Sequence, residues 1–487
     1  MELGSSMETS KARLNPFLFP PDTNFRFILL LVSVLGSSLF AYYTLHNQLY
    51  RMELFSGWQK CFTQADVLYP LQGLEIGSRE YINQSFLNNQ FNNNCIEPLE
   101  QAQAQWILKG LGLLVLIAGF IYWCMPAWRI WRDKLTVFSA EDDTEIFSCL
   151  LQLCNEVGLS KVPTFLLRAL NSSPSGLAFG RVSRYYVVLN GGLVTLYYRD
   201  RERFRVIILH ELSHIRNQDI DKTYFSLGLG LSFLVATLVP LLLGNLVSLF
   251  ANFSGNIGFA IWQLFGAMVY IPIIYITLAS ILRSREAYAD ARVLALDPQN
   301  NVLRKELASL SASRNTLSMR LFSLHPEPAW RLKVFDEPRL LFGLSTWDAF
   351  LAGFISTFAL RELDNFLSIV LSPRFENDSL FGASLFFIPF VVAVVGLGVW
   401  QRVFVDQVRG QKLHGFGRSG LSLGIGMLTG ISFSFSAFID NSIALTDSSA
   451  GNLAIFNIFF GFLFLISLFL GEYPLATRTG SKESFAK

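Results

Sequence analysis

The sequence predicts a mainly α-helical membrane protein with about eight transmembrane helices and one soluble domain on the cytoplasmic side. Of its 487 residues, 52% are hydrophobic and only 16% are charged, a larger apolar excess than one globular core requires. Eight stretches are long and apolar enough to cross a hydrocarbon core of about 30 Å, which takes roughly 20 helical residues. The formal net charge of +2, without a basic stripe, gives no reason to expect a nucleic-acid partner.

The first predicted span is interpreted as a permanent anchor, because it follows a polar lead and lacks a small-residue cleavage site. Spans three and four form a hairpin over 224–282, and the last four spans occupy 341–470. The eight predicted spans are residues 27–45, 106–124, 224–249, 257–282, 341–360, 380–400, 419–438 and 453–470. The predicted tails are residues 1–26 and 471–487.

The distribution of positive charge predicts the orientation. With the N-terminus in the cytoplasm, the segments assigned to the outside hold only five of the 39 Lys and Arg residues, and a sixth, Lys109, lies at the outer end of the second span. The same assignment places 125–223 and 283–340 in the cytoplasm, where they are expected to form one domain. The segment 46–105 then lies outside, and the sequence assigns it no role. A polar, uncleaved N-terminus favours a bacterial inner membrane, with the endoplasmic reticulum membrane as the alternative.

The motif HELSH is the strongest sign of chemistry. It places His210 and His214 one helical turn apart on one face, where two imidazoles can bind one metal ion, with Glu211 beside the first. An ordinary amphipathic helix is the alternative, but the chain has only five histidines. Catalytic zinc needs a third ligand, for which Glu286 in SREAYAD is the candidate. Asp290, one turn later, could steady a histidine ligand, although two such acids alone are more often a solvated face.

The segment HPEPAWRL supplies a further pair of candidates, His325 and Arg331. A lone His and Arg before a span are usually structural. A zinc peptidase, however, needs a cation or donor opposite the metal to hold the oxyanion of the tetrahedral intermediate. We therefore predict that both residues contribute to catalysis.

Together HELSH, SREAYAD and HPEPAWR resemble the HtpX-like and CaaX prenyl protease family of membrane zinc metallopeptidases, over residues 165–340. The resemblance implies an α+β domain of the zincin type, a gluzincin, with one Zn²⁺ per chain and Glu211 as general base. It implies zinc ligation by His210, His214 and Glu286, a supporting Asp290, and an active site lined by His325 and Arg331. The stretch Leu177, Ala178, Phe179 and Gly180 resembles the family's edge strand that pairs with substrate backbone.

These features predict a membrane-integrated zinc metalloendopeptidase that hydrolyses peptide bonds of membrane or membrane-associated proteins at the cytoplasmic face. A role in protein quality control rests on family analogy alone. One rival is an intramembrane site-two-type protease, whose motif would lie inside a span. A transporter is disfavoured because the span centres carry almost no ionisable residues. A catalytically silent membrane scaffold is the remaining alternative.

Two pairings stay open at the level of sequence. Cys61 and Cys95 share the outer segment and could form a disulfide in an oxidising compartment or remain two thiols. The seventh span is rich in glycine, which permits close helix packing. Its partner could be another span of the chain, which we favour, or a second copy in a homo-oligomer. The glycines concerned are Gly420, Gly424, Gly426 and Gly430.

Overall fold

The computed structural model describes the N-terminal two thirds of the chain almost continuously and parts of the remainder. The described residues are Phe17 and the ranges 21–251, 257–297, 301–311, 326–336, 338–341, 346–371, 382–385, 389, 396–408 and 416–433. The N-terminal helices are α1 (Asp22–Leu49), α2 (Arg51–Leu68), α3 (Arg79–Arg132) and α4 (Thr144–Val157). The middle helices are α5 (Gly191–Arg199), α6 (Arg201–Arg216), α7 (Asp219–Phe233), α8 (Val239–Ala251) and α9 (Ile257–Leu296). The later helices are α10 (Asn301–Ser311), α11 (Pro328–Asp336), α12 (Thr346–Leu371), α13 (Leu397–Val408) and α14 (Phe416–Ser432).

Four helices among the described residues are long and apolar enough to cross a membrane, and they coincide with the first four predicted spans. They are Asp22–Leu49, Arg79–Arg132, Asp219–Val247 and Met268–Leu296. A π-helical turn, Leu234–Leu238, joins α7 to α8 within the third of them. The mainly helical, membrane-type fold is therefore confirmed. The count of eight spans is not confirmed, because α12 and α14, at the fifth and seventh predicted spans, are not among these four helices, and 453–470 and most of 380–400 lie outside the described residues.

The predicted outer segment forms a helical hairpin. Helix α3 has 54 residues and is about 80 Å long, far more than a bilayer core of about 30 Å requires. Its N-terminal part packs against α2, where a disulfide joins Cys61 to Cys95 with a Cα–Cα distance of 5.7 Å. The two cysteines are thus bridged rather than free.

A four-stranded sheet forms the β part of the soluble domain. The strands are β1 (Thr136–Val137), β2 (Thr164–Arg168), β3 (Gly176–Arg181) and β4 (Arg184–Asn190). They lie in the order β1-β2-β4-β3, with β2 and β4 parallel and the other two pairs antiparallel. The strand β4, RYYVVLN, is rich in the aromatic and β-branched residues that favour strands. The strand β3 is at the edge of this sheet, next to α6 and α7.

One hydrophobic core joins the two segments that were predicted to form one domain, 125–223 and 283–340. Phe204 and Leu212 of α6 share that core with Val293 at the end of α9 and with Leu303 and Leu307 of α10. Ion pairs reinforce the junction, because Arg205 of α6 contacts Asp297 at 2.9 Å. Residues on either side of the span hairpin therefore fold as one unit.

The glycine-rich helix α14 packs within the chain. A Cβ atom at Gly426 would lie 2.1 Å from the carbonyl oxygen of Phe350, and one at Gly430 would lie 2.5 Å from that of Phe354. Both carbonyls belong to α12, so these two glycines allow close contact between α12 and α14. Gly420 and Gly424 have no neighbour within 4 Å of such an atom. A homo-oligomer through this helix remains a prediction.

Candidate metal centre

The helix α6 carries both histidines of the HELSH motif. The side chain of Asp200 caps the helix by accepting a hydrogen bond from the backbone N–H of Arg203. Phe204, Ile208 and Leu212 are buried on its core side. The rings of His210 and His214 lie on a common face with their centroids 4.9 Å apart.

The third predicted ligand meets these histidines from α9. A Glu286 oxygen lies 3.3 Å from His210 Nε2, and the other lies 3.7 Å from His214 Nε2. Ligand atoms of the three residues all fall within 4.8 Å of one another. Tetrahedral zinc with bonds of 2.0–2.1 Å would place its ligand atoms roughly 3.3 Å apart. The group therefore fits a zinc ion, with His214 and Glu286 almost fully buried.

Buried carboxylates orient both imidazoles. Asp290 Oδ1 lies 3.0 Å from His210 Nδ1, and the two oxygens of Asp219 lie 3.1 and 3.2 Å from His214 Nδ1. Each contact engages Nδ1 and leaves Nε2 directed at Glu286. Carboxylates in such positions fix the tautomer and raise the basicity of a ligating histidine.

Sequence reasoning missed Asp219. It stands five residues after His214, and α-helical spacing would not bring it to that ring. The chain makes a sharp turn at Gln218, whose φ of 55° is left-handed, and α7 begins at Asp219. The sequence feature that could have indicated this contact is an acidic residue shortly after the HELSH helix.

Arg331 reaches the site through Asp290. Its Nε and Nη2 atoms each donate to Asp290 at 2.6 Å, a bidentate pair in which Asp290 is almost fully buried. The guanidinium thus holds the carboxylate that contacts His210, and the charges of Glu286 and Glu211 also act on it. His325, the other residue predicted from HPEPAWRL, lies outside the described residues.

The charge of His210 reflects its surroundings. Burial opposes the charged imidazolium, but hydrogen bonds to Asp290 and Glu286 outweigh it and raise the pKa of His210 to about 10. The carboxylates therefore make this position favourable for a cation, either a proton or a metal ion.

Glu211 faces the edge strand. One of its carboxylate oxygens accepts a hydrogen bond of 2.6 Å from the backbone N–H of Ala178. A side chain at Gly176 would place its Cβ atom 2.9 Å from Glu211 Cγ, so glycine provides the room that Glu211 occupies. Ala178 and Phe179 are buried, and Leu177 is half-buried. A substrate strand could therefore use this edge only after Glu211 releases Ala178.

The part of the chain that carries these residues also matches a known protein family. Residues 140–339 match the model of Peptidase family M48. An M48 peptidase domain, and hence a metallopeptidase hydrolase domain, is thus present in this part of the chain. The match includes the three candidate ligands, Glu211 and the strands β2 to β4. No curated protein and no solved structure matches the chain.

The M48 domain is attached to the candidate membrane helices by a further acid, the half-buried Asp221. Its two oxygens accept hydrogen bonds of 2.7 Å from the hydroxyls of Tyr122 on α3 and Tyr185 on β4. Tyr122 also accepts a hydrogen bond of 2.9 Å from the backbone N–H of Val182. The turn between β3 and β4 is thereby held to α3.

Proposed function

We propose that the protein is a membrane-integrated zinc-dependent metalloendopeptidase. The observation that carries this proposal is the convergence of His210, His214 and Glu286 within an M48 domain, with Asp219 and Asp290 behind the histidines. Three protein ligands leave a fourth position open, which is typical of catalytic rather than structural zinc sites. Bound zinc would act as a Lewis acid toward the scissile carbonyl and activate water at neutral pH.

In this proposal Glu211 is the general base. It follows His210 directly on α6 and is the carboxylate that faces the edge strand. Glu211 accepts a proton from the attacking water and passes it to the leaving amine, as a carboxylate close to the reacting centre can do. Its hydrogen bond to Ala178 holds it toward β3 until substrate takes that place.

The roles of the downstream pair differ in this proposal. Arg331 acts by positioning, because it fixes Asp290 and through it the ring of His210. His325 is proposed to stabilise the oxyanion of the tetrahedral intermediate. Its sequence position, six residues before Arg331, is the basis for that assignment.

The substrate is proposed to be an extended segment of a membrane or membrane-associated protein. It would bind along Leu177, Ala178, Phe179 and Gly180 by strand addition, in which hydrogen bonds to the substrate backbone contribute more than contacts with its side chains. The scarcity of Lys and Arg in the outer segments supports a cytoplasmic active site. The Cys61–Cys95 disulfide in the opposite hairpin agrees, because disulfides persist in oxidising compartments. We retain the bacterial inner membrane and a role in quality control as parts of the proposal.

Two rivals make different predictions. A site-two-type protease would carry the motif within a span, whereas α6 is separate from the four long apolar helices and bears Arg201, Arg203 and Arg205. A silent scaffold would keep the fold without hydrolysis. Zinc content and cleavage together distinguish these alternatives.

The test compares the purified wild-type protein with Glu211→Gln and with Glu202→Gln, a matched change at an exposed position of the same helix. We expect one zinc per chain in all three and cleavage of an unfolded membrane protein by all but Glu211→Gln. Absence of zinc, or cleavage unaffected by Glu211→Gln, would contradict the proposal. Zinc without cleavage in the wild type would favour the scaffold.

A further inference from the structure

We propose that the fold acts as a ruler, so that peptide bonds are cut at a fixed distance, about two to five residues, from the membrane boundary of the substrate. The substrate class is a polypeptide that leaves the bilayer as an extended segment. This inference rests on the proposed function and adds where the cut falls. The supporting geometry comes from three elements that connect the metal centre to the membrane surface.

The helix α3 marks the boundary. Phe120 is 70% exposed, as a lipid-facing side chain would be, and Tyr122 and Trp123 follow it. Arg129 is the first charged residue after them. Tyrosine and tryptophan concentrate where the hydrocarbon core meets the headgroups. These aromatic residues of α3 continue to the exposed Trp128 and Trp131, and we take their edge nearest the apolar stretch, at Tyr122, as the boundary.

The first connection runs through α7. Asp221 accepts a hydrogen bond from the Tyr122 hydroxyl and therefore lies within one side-chain length of the boundary. Asp219, two residues earlier, is about 3 Å away along the helix axis. It contacts His214 at 3.1 Å. His214 Nδ1 is accordingly about 6 Å from the level of Asp221, and the metal position lies roughly 4 Å further, across the imidazole ring.

The second connection is α9 itself. Its apolar sequence continues to Leu282, and charge begins at Arg283. Glu286 lies four residues beyond Leu282, which is about 6 Å along a helix. Both helices thus give a short separation, of about 6 to 10 Å.

The third connection is the strand β3. Its N-terminal half meets Glu211 through Ala178, and its C-terminal end meets the boundary. Arg181 donates to the Trp123 carbonyl oxygen at 2.9 Å, and its guanidinium lies 3.8 Å from the centre of the Trp123 ring. From Ala178 to Val182 the strand advances about 13 Å.

Separations of about 6 to 13 Å correspond to two to four residues of extended chain at about 3.3 Å per residue. A substrate that leaves the bilayer beside Trp123 and pairs with β3 would therefore place a bond at Glu211 within five residues of its own boundary. Strand pairing imposes little side-chain preference. The distance, rather than the sequence, selects the bond.

The experiment uses the full-length protein in proteoliposomes, with a single-span substrate whose tail on the peptidase side is an unstructured repeat. Three or six residues are inserted directly after the span, and the cut bonds are mapped by mass spectrometry. We expect the cut to stay two to five residues from the span, so it falls within or just after the inserted residues instead of at the original bond. Cleavage at the same bond as in the substrate without an insert, or at many bonds along the tail, would contradict the proposal of a fixed distance.

A soluble unfolded peptide separates the two proposals. If Glu211-dependent cleavage of that peptide persists while membrane substrates are cut at sequence-defined bonds, the ruler is wrong and the peptidase function stands. If neither substrate is cut, both proposals are wrong.

Arg181→Ala tests the connection to Trp123. We expect a wider spread of cut positions in membrane substrates, with hydrolysis of the soluble peptide unchanged. Arg184→Ala is the matched control, since this exposed arginine begins β4 at the other side of the same turn. Equal spread in Arg181→Ala and Arg184→Ala would refute the role of Arg181.

Discussion

Replacement of Asp219 tests whether a carboxylate outside the HELSH motif supports a metal ligand. Both of its oxygens are within 3.2 Å of His214 Nδ1, and its side chain is only 3% exposed. Removal of such a support typically costs 10- to 100-fold in metal affinity, about 1.4–2.8 kcal/mol. Asp219→Asn keeps one acceptor and loses the charge, so we expect a loss of about tenfold. Asp219→Ala also leaves Nδ1 without a partner, so we expect about 100-fold.

The assay is competition for zinc between the purified protein and a chelator of known affinity. Asp221→Asn is the matched control, because Asp221 lies in the first turn of the same helix but accepts hydrogen bonds from the hydroxyls of Tyr122 and Tyr185. We expect its zinc affinity to equal that of the wild type. If Asp219→Asn and Asp221→Asn bind zinc equally well, the argument that Asp219 orients His214 is wrong.

Three further predictions follow from other parts of the molecule. The pKa of metal-free His210 is about 10, which is above the ordinary value of about 6.5 for histidine. The contacts of the charged His210 with Asp290 and Glu286 therefore stabilise the fold fully below about pH 6.5, and this stabilisation is lost as the pH rises through about 10. Zinc must displace that proton, and chelator competition should show affinity rising about tenfold per pH unit from pH 7 to 9; a flat profile would contradict this. Cys61→Ser should destabilise the α2–α3 hairpin by about 2–4 kcal/mol in chemical unfolding, because the disulfide closes a loop across a sequence separation of 34. An unchanged unfolding midpoint would show that packing alone holds the hairpin together. Gly426→Leu should lower the melting temperature in detergent, with a cost of at least about 1–3 kcal/mol from overpacking against backbone, while Gly424→Leu should not; equal melting temperatures would refute the close α12–α14 contact.

Local patterns predicted the centre of the site. His210 and His214 are one turn apart on a helix, and that spacing alone puts their rings on one face. Glu286 and Asp290 repeat the same spacing, and the structure places the first at the ligands and the second at His210. The first four spans were also predictable, because length and hydropathy determine whether a helix can cross a bilayer.

The contacts that only the tertiary structure decided join residues distant in sequence or placed by an irregular turn. Asp219 meets His214 because Gln218 adopts a left-handed conformation, and Arg331 meets Asp290 because α11 folds back onto α9. No periodicity encodes either contact, since both depend on how separate elements pack.

The sequence alone thus determined the helical membrane class, the metal-binding motif and the candidate base, all of which follow from composition or from spacing within one helix. The structure decided that Cys61 pairs with Cys95, that Gly426 packs against α12, and that Glu211 rests on β3. These outcomes depend on the relative placement of elements, which is set by long-range burial and hydrogen bonding rather than by local pattern.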